Sequence, residues 1–328
     1  MNRPISETNR NGRWLRLVWL ACLAWMAFCM PWIVCLGAAP PGAAPRFILA
    51  TYNVERYPSE AAADDSRKSE ESKARVREMI AACQADVLAL QEVCGTNALL
   101  ELRRDLKAGG CDYPHWELIT GHDTNVQVAV LSKFPITARR PQTRASFLLH
   151  GRRFQVARGF LEVDIRVNPQ YAFTLLVAHL KSRRAAPEAD ESELREQEAI
   201  KLRGRIDAIL AADPDANLAV VGDFNDVHSS KAVRTVIGQN KNRLFDTRPA
   251  EENGDDFKSK MQRQFHRNVT WTQFYAKEDV YSRIDYIFLS RGMAREFKAE
   301  ASHVLAMPNW GMASDHRPVV TGFQAQEK

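Results

Sequence analysis

The chain has 328 residues, 45% hydrophobic and 26% charged. That globular composition excludes a disordered or fibrous protein and supplies a core for one large domain or two small ones. The formal charge is +5, but Arg3, Arg10, Arg13 and Arg16 against Glu7 place three of those charges in the first 39 residues and leave two for the rest. An anionic partner would therefore be drawn by a local basic patch or a metal, not by overall charge.

In chain order, residues 1–39 read as an export segment. A basic stretch ends at Arg16, residues 17–39 carry no charge, and small residues and prolines (GAAPPGAAP) fill 37–45. This is the three-part pattern of a secretory signal. The apolar run is also long enough to span a bilayer, so the segment is either a cleaved signal peptide or a retained N-terminal anchor; a buried core helix is the poorest reading. Cys35 follows Ile33-Val34 where a lipid-attachment box would carry small residues. Residues 40–45 form a Pro/Ala linker, and 46–328 form one domain.

Within that domain, residues 47–53 (FILATYN) are a strand. Residues 66–84 place Ala74, Val76, Met79, Ile80 and Cys83 at helical spacing. Residues 86–91 (DVLALQ) make a short buried strand, and 97–107 a helix stopped by Gly109-Gly110. Strands follow at 126–132, 154–167 and 171–179, the last (YAFTLLVAH) apolar enough to be buried on both faces. Residues 188–212 form a long charged helix, and 218–222 (LAVVG), 284–289 and 319–323 are strands. The polar, irregular stretch 246–267 reads as a surface loop near the site. Strands outnumber helices and several lack an intervening helix. This α/β pattern favours two packed sheets with helices outside over a simple doubly wound sheet.

Cys83, Cys94 and Cys111 lie in the domain. An oxidising compartment would allow one disulfide, with Cys94–Cys111 the first candidate because they flank a helix, or all three are buried free thiols. No CxxC pair is present, so a structural zinc site is unsupported.

Polar residues gather at strand ends: Asn53 in ATYN, Glu92 in LALQEV, His179 in VAH, Asp223 and Asn225 in GDFND, Asp285 in RIDY, and Asp315 and His316 in SDHRP. Singly, each reads as turn chemistry or a solvated side chain. Asp285, inside an apolar strand, differs: a buried carboxylate needs a partner, and His316 is the natural candidate. Glu92, Asp315 and the Asn53 amide are hard oxygen donors suited to Mg²⁺ or Mn²⁺, with Ca²⁺ also open. A metal, a base for water and polar donors around phosphorus are what phosphoester hydrolysis requires.

The ordered set TYN, LQEV, AHLKS, GDFND, RIDYIFLS and SDHRP resembles the endonuclease/exonuclease/phosphatase superfamily, the DNase I-like fold. The resemblance covers about residues 47–324. It implies a four-layered α/β/β/α sandwich with its site at one end of the two sheets. Asn53 and Glu92 then match metal-holding or metal-orienting positions, and Asp315 a metal-site acid. His179 matches a contact to the scissile phosphate, and Asp223 the group that orients or deprotonates water. Asn225 matches a stabiliser of phosphoryl oxygens, Asp285 the partner of the last histidine, and His316 the acid–base or transition-state contact. The implied reaction is direct in-line attack of water.

The substrate is less determined. Lys181, Arg183 and Arg184 follow His179 and suit flanking nucleic-acid phosphates, or form a solvated basic turn. Trp310, just before SDHRP, is the first candidate for a substrate-facing aromatic, with rim packing the alternative. The expectation is an exported nuclease acting on DNA or RNA as a monomer. A phosphatase or phospholipase-type enzyme acting on inositol phosphates or sphingomyelin is the alternative, with a membrane tether in the anchored case, and a non-catalytic binding module comes third.

Overall fold

A computed structural model describes residues 45–59, 68–251 and 268–326. The export segment, the linker up to residue 44 and positions 252–267 of the expected loop lie outside them. No helix among the described residues is long and apolar enough to cross a membrane.

The strands and helices are β1 (Arg46–Tyr57), α1 (Glu70–Cys83), β2 (Val87–Val93), α2 (Thr96–Ala108), β3 (His115–Ile119), β4 (Gln127–Ser132), β5 (Ile136–Arg139), β6 (Ser146–Leu149), β7 (Arg152–Gln155), β8 (Phe160–Asn168) and β9 (Tyr171–His179). There follow α3 (Glu191–Ala212), β10 (Leu218–Asp223), α4 (Lys231–Ile237), β11 (Phe245–Asp246), β12 (Gln273–Tyr275), β13 (Val280–Ser282), β14 (Asp285–Leu289), α5 (Arg291–Ala294), β15 (Phe297–Val304) and β16 (Val319–Gln324).

Two six-stranded sheets result, ordered β15-β16-β1-β2-β4-β3 and β11-β14-β10-β9-β8-β5. Each contains a parallel pair joined through a helix: β1–α1–β2 in one sheet and β9–α3–β10 in the other. Aliphatic and aromatic side chains from both sheets, among them Phe47, Leu49, Val130, Leu175, Val221 and Phe323, fill the space between them. The outer face of the first sheet packs on α1 and α2 through Val76, Ile80, Leu99 and Leu102. The outer face of the second packs on α3 and α4 through Leu202, Ile206, Val233 and Val236. The order is therefore helix, sheet, sheet, helix. Both long crossover helices begin on designed stops: the Ser69 hydroxyl accepts from Ser72 N, and the Asp190 carboxylate accepts from Ser192 N and Glu193 N.

Two local expectations are corrected. The single strand at 154–167 is split into β7 and β8 by a bend at 156–159, where Gly159 adopts φ +69°. The Cys94–Cys111 disulfide is not formed, and Cys83, Cys94 and Cys111 are free thiols. The two candidates stand at opposite ends of α2, whose 13 residues separate them by about 20 Å at helical rise, beyond disulfide reach.

Candidate active site

The strand pattern itself builds the site. Side chains alternate along a strand, and the positions facing the other sheet read Phe47, Leu49, Thr51, Asn53 along β1 and Val87, Ala89, Gln91 along β2. They read Leu175, Val177, His179 along β9 and Ala219, Val221, Asp223 along β10. In β14, antiparallel to β10, the same rows read Leu289, Ile287, Asp285. Each column starts apolar and ends on a polar rung, β1 turning polar one rung early at Thr51, and every last rung lies at the same end of the sandwich. His179, Asp223 and Asp285 are direct neighbours in the register. Gly222 makes the row possible: its φ is +131°, and a Cβ there would run into Ala178 O of β9.

The Asn53, His179, Asp223 and Asp285 side chains are buried, and polar contacts join them to the half-buried Glu92 and Asn225. Asn53 Nδ2 donates to Asp223 Oδ2 at 3.0 Å and to Glu92 Oε1 at 3.2 Å, so one amide bridges the two sheets. His179 Nε2 stands 3.5 Å from Asp223 Oδ2 and 3.8 Å from Glu92 Oε1. Asn225 donates to Asp223 twice, from N at 2.8 Å and from Nδ2 at 3.3 Å, and Nδ2 also reaches Leu180 O at 3.0 Å. Asp285 Oδ2 lies 2.8 Å from His316 Nδ1, leaving His316 Nε2 directed to Asp223 Oδ2 at 3.9 Å and Asp315 Oδ1 at 3.8 Å.

Glu92 departs from the alternation. It has φ +64°, and the β2–β4 register shifts between Gln91 and Val93. A left-handed glutamate at a bulge is a strained conformation of the kind that re-aims a side chain at a functional site. Asn225 also adopts the left-handed region, φ +53°, where asparagine is at home.

Burial and neighbouring charge set the protonation of the cluster. Burial, then the Asp285 carboxylate, pushes Asp223 up to about 7. Burial opposes the charged form of His316, but the Asp285 and Asp223 carboxylates outweigh it and hold this histidine well above its ordinary value. Burial, followed by the Arg158 and His316 charges, holds His179 well below its ordinary value. The two histidines are thus driven in opposite directions, one toward donor and one toward neutral ring.

The remaining sequence-predicted residues divide. Asp315 is half-buried, and its Oδ2 accepts from Gln273 Nε2 at 3.1 Å. Arg183 reaches the mouth, donating from Nε to Asn225 O at 3.2 Å. The Lys181 ammonium is turned onto its own loop, donating to Ser182 O at 3.1 Å and Arg184 O at 2.7 Å. Trp310 packs against Trp271 with ring centroids 5.2 Å apart.

Other contributors have no motif to announce them. Ser314 Oγ donates to Asn53 O and accepts from His316 N, tying β1 to the SDHRP turn. Thr272 Oγ1 accepts from Ile284 N and Asp285 N. The β12–β13 hairpin is clamped to the site by Phe274 N donating to Asp315 O at 2.9 Å, and it stacks Phe274 on Tyr281 at 4.5 Å with Trp271 against the latter at 4.7 Å. Tyr275, Val280, Tyr281 and Met312 leave an exposed apolar rim there.

The donor set fits a hard divalent cation. Glu92, Asp223, Asp285 and Asp315 are close to two histidines, yet among the described residues no lysine or arginine side chain pairs with any of the four. Asp285 Oδ1 is buried without a hydrogen-bond partner. One donor atom from each of Asp223, Asp285 and His316 lies within 4.8 Å of the others. Glu92 and Asp315 stand outside this tight group, against His179 and His316 respectively, with more exposed oxygens.

Comparison with known proteins agrees with this geometry. The human nocturnin catalytic domain with bound sulfate superposes with a TM-score of 0.59 at 15% identity, covering 86% of this chain and 96% of that one. Sphingomyelinase C from Streptomyces griseocarneus gives 0.58 at 19% identity, covering 85% and 99%, and truncated Caenorhabditis elegans TDP2 gives 0.55 at 15%, covering 85% and 98%. These likenesses are of fold. No curated protein sequence matches. The profile of the Endonuclease/Exonuclease/phosphatase family matches residues 50–316, and with the four layers and the polar rung at their mouth the chain belongs to that family of phosphoester hydrolases.

Proposed function

We propose that this chain is an exported, divalent-metal-dependent phosphodiesterase that hydrolyses DNA or RNA by direct attack of water. The observation that carries the reading is the mouth itself: Asp223, Asp285, His179 and His316 buried together beside the half-buried Glu92 and Asp315, with no lysine or arginine among the described residues paired to the four carboxylates.

Glu92 and Asp315, with Asn53 orienting Glu92, would hold the cation, which when bound neutralises phosphoryl oxygens and so favours attack on phosphorus. Asp223 orients the attacking water and accepts its proton, fixed for that task by Asn53 and Asn225. His316, locked by Asp285, presents Nε2 as a donor to a phosphoryl oxygen, and His179 adds a second contact from the neighbouring strand. No covalent intermediate is needed, because a buried base and a polar cradle suffice for in-line displacement.

Nucleic acid is favoured as substrate by two features of the rim. Arg183 is available to a flanking phosphate. The aromatic hairpin, with Tyr281 53% exposed, offers a face for a base to stack on. The same exposed Val280, Tyr281 and Met312 would suit an apolar tail, which keeps phosphorylated or choline-bearing lipid as the second reading. The leader pattern supports export, as a released or tethered enzyme.

A substrate panel tests the reading. With Mg²⁺ or Mn²⁺ the protein is expected to degrade plasmid or single-stranded DNA or RNA, and EDTA to stop it. Intact nucleic acid alongside turnover of a phosphoinositide or sphingomyelin would replace the substrate assignment, and no turnover of any phosphoester would remove the activity.

A further inference from the structure

The two acids read as metal holders each receive a side-chain amide, and one of the two amides lies outside every motif. On Glu92, Asn53 Nδ2 donates to Oε1 and Arg56 N donates to Oε2, each at 3.2 Å. On Asp315, Gln273 Nε2 donates to Oδ2 at 3.1 Å, across 42 positions of sequence. A carboxylate ion only accepts, so the Gln273 amide has to present its nitrogen to it. That bond divides the work of the two oxygens. Oδ2 is taken, while Oδ1 lies 3.8 Å from His316 Nε2, the ring atom directed to Asp223.

The main chain on both sides of Gln273 is fixed. Phe274 N donates to Asp315 O at 2.9 Å, and Arg317 N donates to Thr272 O at 2.7 Å. Strand β12 thus runs along the SDHRP turn with Gln273 directly opposite His316. Thr272 N donates to Ser282 O at 2.9 Å and ties the same segment back to β13. The half-buried glutamine side chain is therefore delivered from a placed backbone.

The chemistry of the donor matters as much as its place. A lysine or arginine here would orient Asp315 but also cancel the charge that draws a cation. A neutral amide orients the carboxylate and leaves its charge intact, as Asn53 does for Glu92. Hydrogen bonds of this kind to a ligating carboxylate tune the affinity of a metal site.

We propose that Gln273 is a positioning residue that orients the Asp315 carboxylate for the divalent cation and so sets the affinity of the site. This role rests on the metal-dependent reading above.

Thermal unfolding of the EDTA-treated full chain, titrated with Mg²⁺ or Mn²⁺, reads that affinity without turnover. Gln273→Met keeps the length of the side chain and removes the donor. It is expected to match wild type in Tm without metal, because the main-chain clamps remain, and to need about 10-fold more metal for the same rise. In hydrolysis the metal concentration for half-maximal activity should move by the same factor, while kcat recovers at saturating metal. Gln273→Ala should behave alike. In an Asp315→Ala background Gln273→Met should change nothing, because the carboxylate through which it acts is gone. Unchanged metal affinity in Gln273→Met, a lower metal-free Tm as its only effect, or the same loss with and without Asp315 overturns the role and leaves the metal site standing. A kcat that stays low at saturating metal overturns it as well. A wild type whose Tm ignores both cations sinks the metal-dependent reading, and this role with it.

Discussion

Two groups of buried and half-buried carboxylates in the same sandwich are handled in opposite ways. On the second sheet, Glu162 of β8 is covered by guanidiniums: Arg140 Nε and Arg205 Nε both donate to it, and Arg205 Nη2 reaches Oε1 at 2.7 Å. Its neighbour Asp164 takes Arg140 Nη1 at 2.8 Å and Thr174 Oγ1 at 2.8 Å. At the mouth, Asp223, Asp285, Glu92 and Asp315 receive amides, backbone N–H groups and histidines but, among the described residues, no lysine or arginine. The first group is complete within the chain and is structural. The second is arranged and underneutralised, which is what a site awaiting a cation and an anionic substrate should be. The difference lies in what each group lacks, not in how deeply it is buried.

The largest expected effect tests the incomplete group. Asp223→Asn and His316→Ala should each lower kcat/KM by roughly 10²–10⁴-fold, the usual range for a general acid–base group. Asp223→Asn should unfold at or above the wild-type denaturant midpoint, because it removes one of two facing buried carboxylates. A large stability loss with activity retained would make the mouth as structural as the Arg140 cluster. Next, a divalent cation should raise the Tm of EDTA-treated wild type, and Glu92→Gln should reduce that rise by about 10-fold or more in apparent affinity (the effect of a lost carboxylate ligand is of the order seen for ligand-shell mutations). Glu162→Gln should leave the metal response untouched; a response lost in both variants would erase the distinction.

Much of the mouth was legible because strand and chemistry coincide in the sequence. An apolar run that ends on His179, Asp223 or Asn53 states both the strand and the place where it stops being core. Asp285 was legible for a different reason: a charge inside RIDYIFLS has to be matched by something, and His316 Nδ1 is 2.8 Å away. The edge strands β3 and β15 were missed because HWELI and FKAEASHV mix polar and apolar residues without a clean period, as half-covered edges do. Ser314 and Thr272 act through contacts across 261 and 13 positions of sequence, and no local pattern encodes such contacts.

The complete group yields smaller effects, read as stability. Glu162→Gln should cost about 2–3 kcal/mol in denaturant unfolding, below the 3–5 of a fully buried broken pair, because Arg140 and Arg205 are 38% and 29% exposed and can find water. The activity of the folded fraction should not change.

The smallest effect also fixes a sign. Burial alone would raise the pKa of Asp164, but the Arg140 guanidinium and the Thr174 hydroxyl hold it below the ordinary 3.8. A carboxylate with a depressed folded value stabilises the protein above its unfolded value and loses that contribution as pH falls through the folded one. Asp164→Asn should therefore cost about 1–2 kcal/mol at neutral pH, the low end for charge-assisted bonds to a partly exposed partner. The gap between variant and wild type should stay constant on acidification until about pH 4 and close below it. A gap that widened as pH fell would mean that Asp164 is strained rather than satisfied, and the two carboxylate groups would then differ in position and not in kind.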